Sequence, residues 1–291
     1  MSISRWFAFA MLTTAALPRQ GGAVTLMVNE YRNAAGAQTL GTKMASDEYI
    51  EFVVGEAATA EQLAALTFGD MNDGTSMIRS VFQFDLATLQ QVLTDAGRTE
   101  FLPGTVIVVK GAGLGAQELG YQPDEGNTGN SDAWSIQLVA GQGAKDHSET
   151  LINGTLSVGN GGEMIWVSSS APPANNTDIS GFESVLGHGN NQGVLGTALT
   201  NQFGAGVVWN GTITSGQSLS NVGTAGAPVL AVSTTGTMGA ANSAANQNWL
   251  SNIRTASFIV TAPEPSRGLL LLVSSVGTWW MRTRRRPSHA V

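Results

Sequence analysis

Two histidines lie in the central part of the chain, His147 within Asp146-His147-Ser148-Glu149 and His188 some forty residues on. With carboxylates beside them, such residues could hold a metal ion or act as a base and its orienting partner. The loop Gly141-Gln-Gly-Ala-Lys145 that precedes His147 reads as ordinary turn sequence, and no spacing sets His188 beside it. Gly111-Ala-Gly113-Leu-Gly115 follows an apolar strand pattern, the setting of a phosphate cradle. Ala116 and Glu118 occupy the positions a dinucleotide fingerprint reserves for glycine, and no Gly-Lys-Ser/Thr follows, so this reads as a loop. Asp70-Met-Asn72-Asp73-Gly74 offers oxygen donors of the kind calcium takes, but Val81 stands where the closing bidentate glutamate would be, which leaves an Asx turn. There is no Gly-x-Ser-x-Gly elbow and no cysteine. These residues assign no catalytic group, no metal set and no cofactor. The alternative is a secreted hydrolase with a loop-built site around His147 and His188.

Four tryptophans offer a different chemistry, because an indole face stacks on the apolar face of a sugar ring. Trp134 and Trp166 sit in strand patterns and are expected in the core. Trp209 and Trp249, set among Asn, Gly and Gln, are the candidates for binding a ligand at the surface.

The ends of the chain read differently from its middle. Residues 1–23 carry one early basic residue, Arg5, an apolar run from Trp6 to Leu17, and the small residues Gly21-Gly22-Ala23. That order is signal-peptide grammar, with cleavage expected before Val24. At the other end, Pro263-Glu264-Pro265 precedes the apolar run Leu269 to Met281, and then Arg282, Arg284, Arg285 and Arg286. The 13-residue run makes about 20 Å of helix, short against a hydrocarbon core of roughly 30 Å. The prolines deny regular pairing to the approach, and the arginines set orientation by staying cytoplasmic. Residues 262–291 resemble the PEP-CTERM sorting signal of bacterial exported proteins. The resemblance implies transient handling by an exosortase, membrane association through the C-terminal helix, and delivery to the envelope or outside.

Between these ends, residues 24–261 carry seven basic residues (Arg32, Lys43, Arg79, Arg98, Lys110, Lys145, Arg254) against 20 acidic ones, a net charge of −13. Such a surface repels phosphate backbones, which argues against a nucleic-acid partner. The 36 glycines of the whole chain, with abundant Ser, Thr, Asn and Val, favour short strands joined by tight turns. Strands are expected at 24–31, 48–54, 80–84, 104–110, 132–139, 149–158, 163–168, 207–214, 228–233 and 256–261. Trp134, Ile136 and Leu138 would share one face. Thr59, with Gln62 three residues later, predicts a capped helix over 59–66, and 86–93 reads as a second. Phe182 to Gly187 reads as a short helix. Strands at this spacing predict an all-β sandwich with long loops and one or two short helices, flanked by the signal helix and the C-terminal hydrophobic helix.

Several stretches carry a second resemblance: Val28-Asn-Glu-Tyr31, Glu48-Tyr-Ile-Glu51, Leu102-Pro-Gly104, Asp132-Ala-Trp134 through Leu138, and Thr237-Met-Gly-Ala-Ala-Asn242. Together they are similar to the lamin-tail domain, an immunoglobulin-like β-sandwich, with Met238 where that family has proline. The family has no common catalytic residues, so the resemblance implies a fold and not a reaction. The expected function is therefore that of a non-enzymatic exported module, structural, adhesive or associated with the polysaccharide matrix.

Overall fold

The computed structural model describes residues 26–34, 43–72, 77–78, 80–146, 156, 158, 162–169, 181–189, 207–224 and 227–259. Strands β1 (Leu26–Arg32), β2 (Tyr49–Val54), β6 (Val106–Lys110), β7 (Ser135–Val139), β12 (Ser218–Asn221) and β13 (Leu230–Ser233) make one sheet in the order β13-β12-β1-β2-β6-β7. The second sheet runs β11-β10-β9-β3-β5-β8, from β3 (Thr67–Asn72), β5 (Phe82–Phe84), β8 (Ala144–Asp146), β9 (Glu163–Ser168), β10 (Phe182–His188) and β11 (Val208–Trp209). Strand β4 (Met77–Ile78) pairs with β3 off that path. Most pairs are antiparallel, while β6–β7 and β10–β11 are parallel. The architecture is an all-β sandwich of two mixed sheets and not a closed barrel.

Alternation along the strands fills the space between the sheets. Ile50, Phe52 and Val54 of β2 meet Phe68, Phe82 and Phe84 in one continuous core, with Phe52 and Phe68 edge to face at 5.1 Å between ring centroids. The opposite face of the first sheet, Tyr49, Val53, Val106 and Val108, is covered by helix α3 (Ala244–Ile259) through Leu250. Two shorter helices complete the fold. Helix α1 (Ala60–Ala64) has the expected reciprocal cap, with Thr59 Oγ1 accepting from the Gln62 amide and the Gln62 side chain accepting from the Thr59 amide. Helix α2 (Leu86–Asp95) starts at Asp85, whose carboxylate accepts from the Thr88 amide at 3.1 Å and pairs with Lys145 at 2.5 Å.

Three expectations are corrected. Residues 256–261 are expected as a strand, but the chain is helical to Ile259, because these residues continue a helix started by Ser243, whose hydroxyl accepts from the Asn246 amide at 3.0 Å. Phe182 to Gly187 is strand β10, paired along β9, since the sheet offers backbone partners that an isolated six-residue helix lacks. Trp134 lies in a 3₁₀ turn before β7 and faces α3, so it does not share the core face of Ile136 and Leu138. The long stretch between β2 and α2 also supplies β3, β4 and β5, which pattern reading had only partly found.

Candidate functional site

The densest polar chemistry in the described residues begins with a β-bulge. Along β1 and β2, Val28 lies opposite Phe52 and Glu30 opposite Glu51, so Asn29 is the extra residue. Val28 and Tyr31 stay in the core. The bulge therefore turns both Asn29 and Glu30 to the α3 side of the sheet, which unbroken alternation could not do. Glu30 and Glu51 are each fully buried there.

The loop before α3 brings the donors these carboxylates need. Glu30 accepts from the Tyr49 hydroxyl at 2.6 Å and from the Thr237 hydroxyl at 2.5 Å, and from the Thr237 amide. Glu51 accepts from Asn29 Nδ2 at 2.6 Å and from the Gly239 amide at 2.8 Å. Asn242 Nδ2 donates to the Asn29 and Asn221 carbonyls, and Asn246 Nδ2 donates to Asn29 Oδ1. Burial and the adjacent Glu30 push the Glu51 carboxyl well above its ordinary pKa, and the bonds from Asn29 and Gly239 oppose them. Burial likewise raises the Tyr49 phenol.

Arg254, one turn beyond Leu250, fastens the other end of α3. Its Nε donates to the Gly104 carbonyl at 2.9 Å and its Nη1 to the Thr128 carbonyl at 3.0 Å. Gly104 turns with φ +86°, and a β-carbon there would lie 2.6 Å from Arg254 Cγ, so the turn requires glycine twice over. Desolvation lowers the guanidinium pKa to about 10. A protonated, buried cation bonded to carbonyls is a bolt and not a proton donor at neutral pH.

The residues singled out by sequence are distributed elsewhere. His188 is wholly buried at the end of β10, opposite Glu163, with Nδ1 2.6 Å from the Tyr31 hydroxyl. Burial, then the Glu163 charge, raise that phenol well above its ordinary value. His147 lies outside the described residues. Asp70 and Asn72 are in strand β3 and not in a turn, and Asp70 is buried and accepts from Ser80 Oγ. Among the described residues, no group of three His, Asp or Glu gathers as a metal would require. The glycine loop is a packed 3₁₀ turn, because a β-carbon on Gly111 would meet the Ala45 carbonyl oxygen at 1.9 Å.

Trp134 and Trp166 are fully buried, the latter stacked on Phe182 at 5.1 Å between centroids. Trp209 is 37% exposed on the edge strand β11. Trp249 is half-buried on α3 and walls a groove of about 140 Å³, where Met27, Asn29, Glu183, Ser184, Val207 and Asn221 also face. Trp209 does not line that groove. Sequence reasoning missed Glu183 and Asn221, since neither belongs to a motif. Pro263, Glu264, Pro265 and the arginines at 282, 284, 285 and 286 lie outside the described residues. Among the described residues, no helix is long and apolar enough to cross a membrane. Comparison with protein families, with curated proteins and with solved structures finds no match.

Proposed function

We propose that this chain is an exported, non-enzymatic module of the bacterial cell surface or extracellular matrix, bearing a lamin-tail-like sandwich and sorted through its Pro263-Glu264-Pro265 segment. One observation carries the module reading. The carboxylates gathered by the motif stretches are consumed by internal donors, with Glu30 and Glu51 buried under α3 and bonded to Thr237 and Gly239. Carboxylates held that way fasten a helix to a sheet and present no group to a substrate. The five stretches similar to the lamin-tail domain support the family reading because they converge: Asn29-Glu30, Tyr49 and Glu51, Gly104, Trp134, and Thr237 to Asn242 all contact one another or α3.

The sorting half of the proposal rests on the two terminal segments and is tested separately. Intact mass is measured on the protein recovered from membrane and extracellular fractions of its host. The expected extracellular form lacks residues 1–23 and the apolar tail beyond Pro265. Recovery of the whole tail in a membrane-bound form would make the protein an anchored ectodomain and remove the sorting step.

A further inference from the structure

The groove beside Trp249 lies between two bulges. Asn29 is the extra residue of β1, and Glu183 is the extra residue of β10, where Phe182 pairs with Ser168 but Ser184 pairs with Val167. Both bulged residues line the same groove. Bulges re-aim side chains and concentrate next to sites. They do so here from opposite sheets, joined where the Val28 amide donates to Ser184 Oγ at 3.0 Å.

The two bulged side chains differ in what they do. Asn29 is committed to Glu51 and Asn246. Glu183 Oε2 is shielded from water and has no hydrogen-bond partner among the described residues. A shielded acceptor left unmade costs about 1–3 kcal/mol, a cost that an arriving donor would recover. Among the described residues, Glu183 is also the only ionisable side chain lining the groove. From Ser184 to Ile253 the chain has no Asp, Glu, Lys or Arg at all, and that stretch supplies Trp249, Asn221, Val207 and Pro228 to the walls.

We propose that this groove is a subsite for one neutral hexose unit of a polysaccharide. The indole of Trp249 takes the apolar face of the ring, and the Glu183 carboxylate accepts from a ring hydroxyl, with the Asn221 amide beside it. A volume of about 140 Å³ suits a single ring and not an oligosaccharide buried along its length. The carboxylate and the net charge of −13 over 24–261 repel uronate polymers, so the ligand class is neutral. This inference rests on the matrix-module reading and names its ligand.

The test is affinity electrophoresis of the full chain in mild detergent through gels containing dextran, mannan or alginate. The expected result is retardation by at least one of the two neutral polymers and none by alginate. Trp249→Ala and Glu183→Ala each weaken retardation about tenfold or more, and Leu86→Ala, at an exposed position of α2 that does not line the groove, leaves it unchanged. Because Oε2 of Glu183 has no partner to lose among the described residues and its removal relieves an unmade acceptor, Glu183→Ala keeps or raises the wild-type melting temperature, which separates lost binding from lost folding. Absence of retardation by both neutral polymers, stronger retardation by alginate, or wild-type retardation of Glu183→Ala would each overturn the subsite. An exported and trimmed protein that binds neither neutral polymer would leave the module reading intact and remove only this one.

Discussion

The guanidinium carbon of Arg254 stands 5.2 Å from the centroid of the Trp134 ring, and Phe258, one turn further along α3, meets the same ring edge to face at 6.0 Å. The indole nitrogen is held in turn by Asn127 Oδ1 at 2.8 Å. Helix, 3₁₀ turn and the Gly104 turn are therefore tied at one point.

Removing that tie has a predictable sign. Arg254→Met strands the Gly104 and Thr128 carbonyls and loses the cation over the ring, while relieving the guanidinium of a desolvation cost already visible in its lowered pKa. Two charge-assisted bonds outweigh that relief, for a net loss of about 2 kcal/mol in urea unfolding. A variant within about 0.5 kcal/mol of the wild type would show that the bolt adds no net stability.

Acidification should stabilise the fold. Burial raises the Glu48 carboxyl from 4.5 to about 7, against bonds from the Ala45 and Val158 amides that lower it. A carboxyl with a raised folded pKa binds its proton more readily folded than unfolded. Its contribution is complete below pH 4.5 and is lost as pH rises through about 7. Glu51 is shifted in the same direction. Asp85 and Glu61, shifted downward, act only below their ordinary range. The melting temperature is thus expected to rise from pH 8 to pH 5, and to rise less in Glu48→Gln. A fall over that interval would contradict the assignment.

Thr237 and Tyr49 share one acceptor, the Glu30 carboxylate. Thr237→Val and Tyr49→Phe should each cost about 1–2 kcal/mol. The double variant should depart from their sum by more than about 0.5 kcal/mol, since both act on one buried charge. Additivity in a double-mutant cycle would mean the two donors are independent.

Gly111→Ala tests the packed reading of the glycine loop. The added carbon would sit 1.9 Å from the Ala45 carbonyl oxygen, a backbone atom that cannot rotate aside. A loss of about 2 kcal/mol or more is expected, typical of overpacking. A neutral effect would mean that the loop shifts to accommodate the carbon and is not packed as described.

Much of the sandwich was legible because local rules and tertiary demands agree. The alternation of β2 and the Thr59–Gln62 cap are examples. The misreadings fall where they conflict. Phe182 to Gly187 carries no strand alternation because its second residue is bulged, and a bulge is visible only against a partner's register. Residues 256–259 are β-rich in composition but continue a helix begun twelve residues earlier at Ala244. The signal for α3 was Ser243 as a cap followed by Trp249, Leu250 and Ile253 at helical spacing, and it is weak because the other buried positions, Asn246 and Arg254, are polar. Of the candidate site, Trp249 could be read from its polar neighbours. Glu183 could not, because nothing local marks a carboxylate as lacking a donor.

The clamp on the first two strands also orders the life of the chain in time. Thr237 lies 207 positions from Glu30, Gly239 188 from Glu51, and Asn246 217 from Asn29. Until residues 237 to 254 have been synthesised, Glu30 and Glu51 have only each other's strand as a source of donors, Tyr49 and Asn29, and lack Thr237 and Gly239, while the apolar face beside them has no cover. Contacts that distant are slow to close, since the loop entropy precedes the reward. The nascent chain therefore stays open through nearly all of its translation and locks only at its end. A ribosome stalled before residue 237 should hold a protease-sensitive chain, and one stalled with residue 259 exposed should hold a resistant domain.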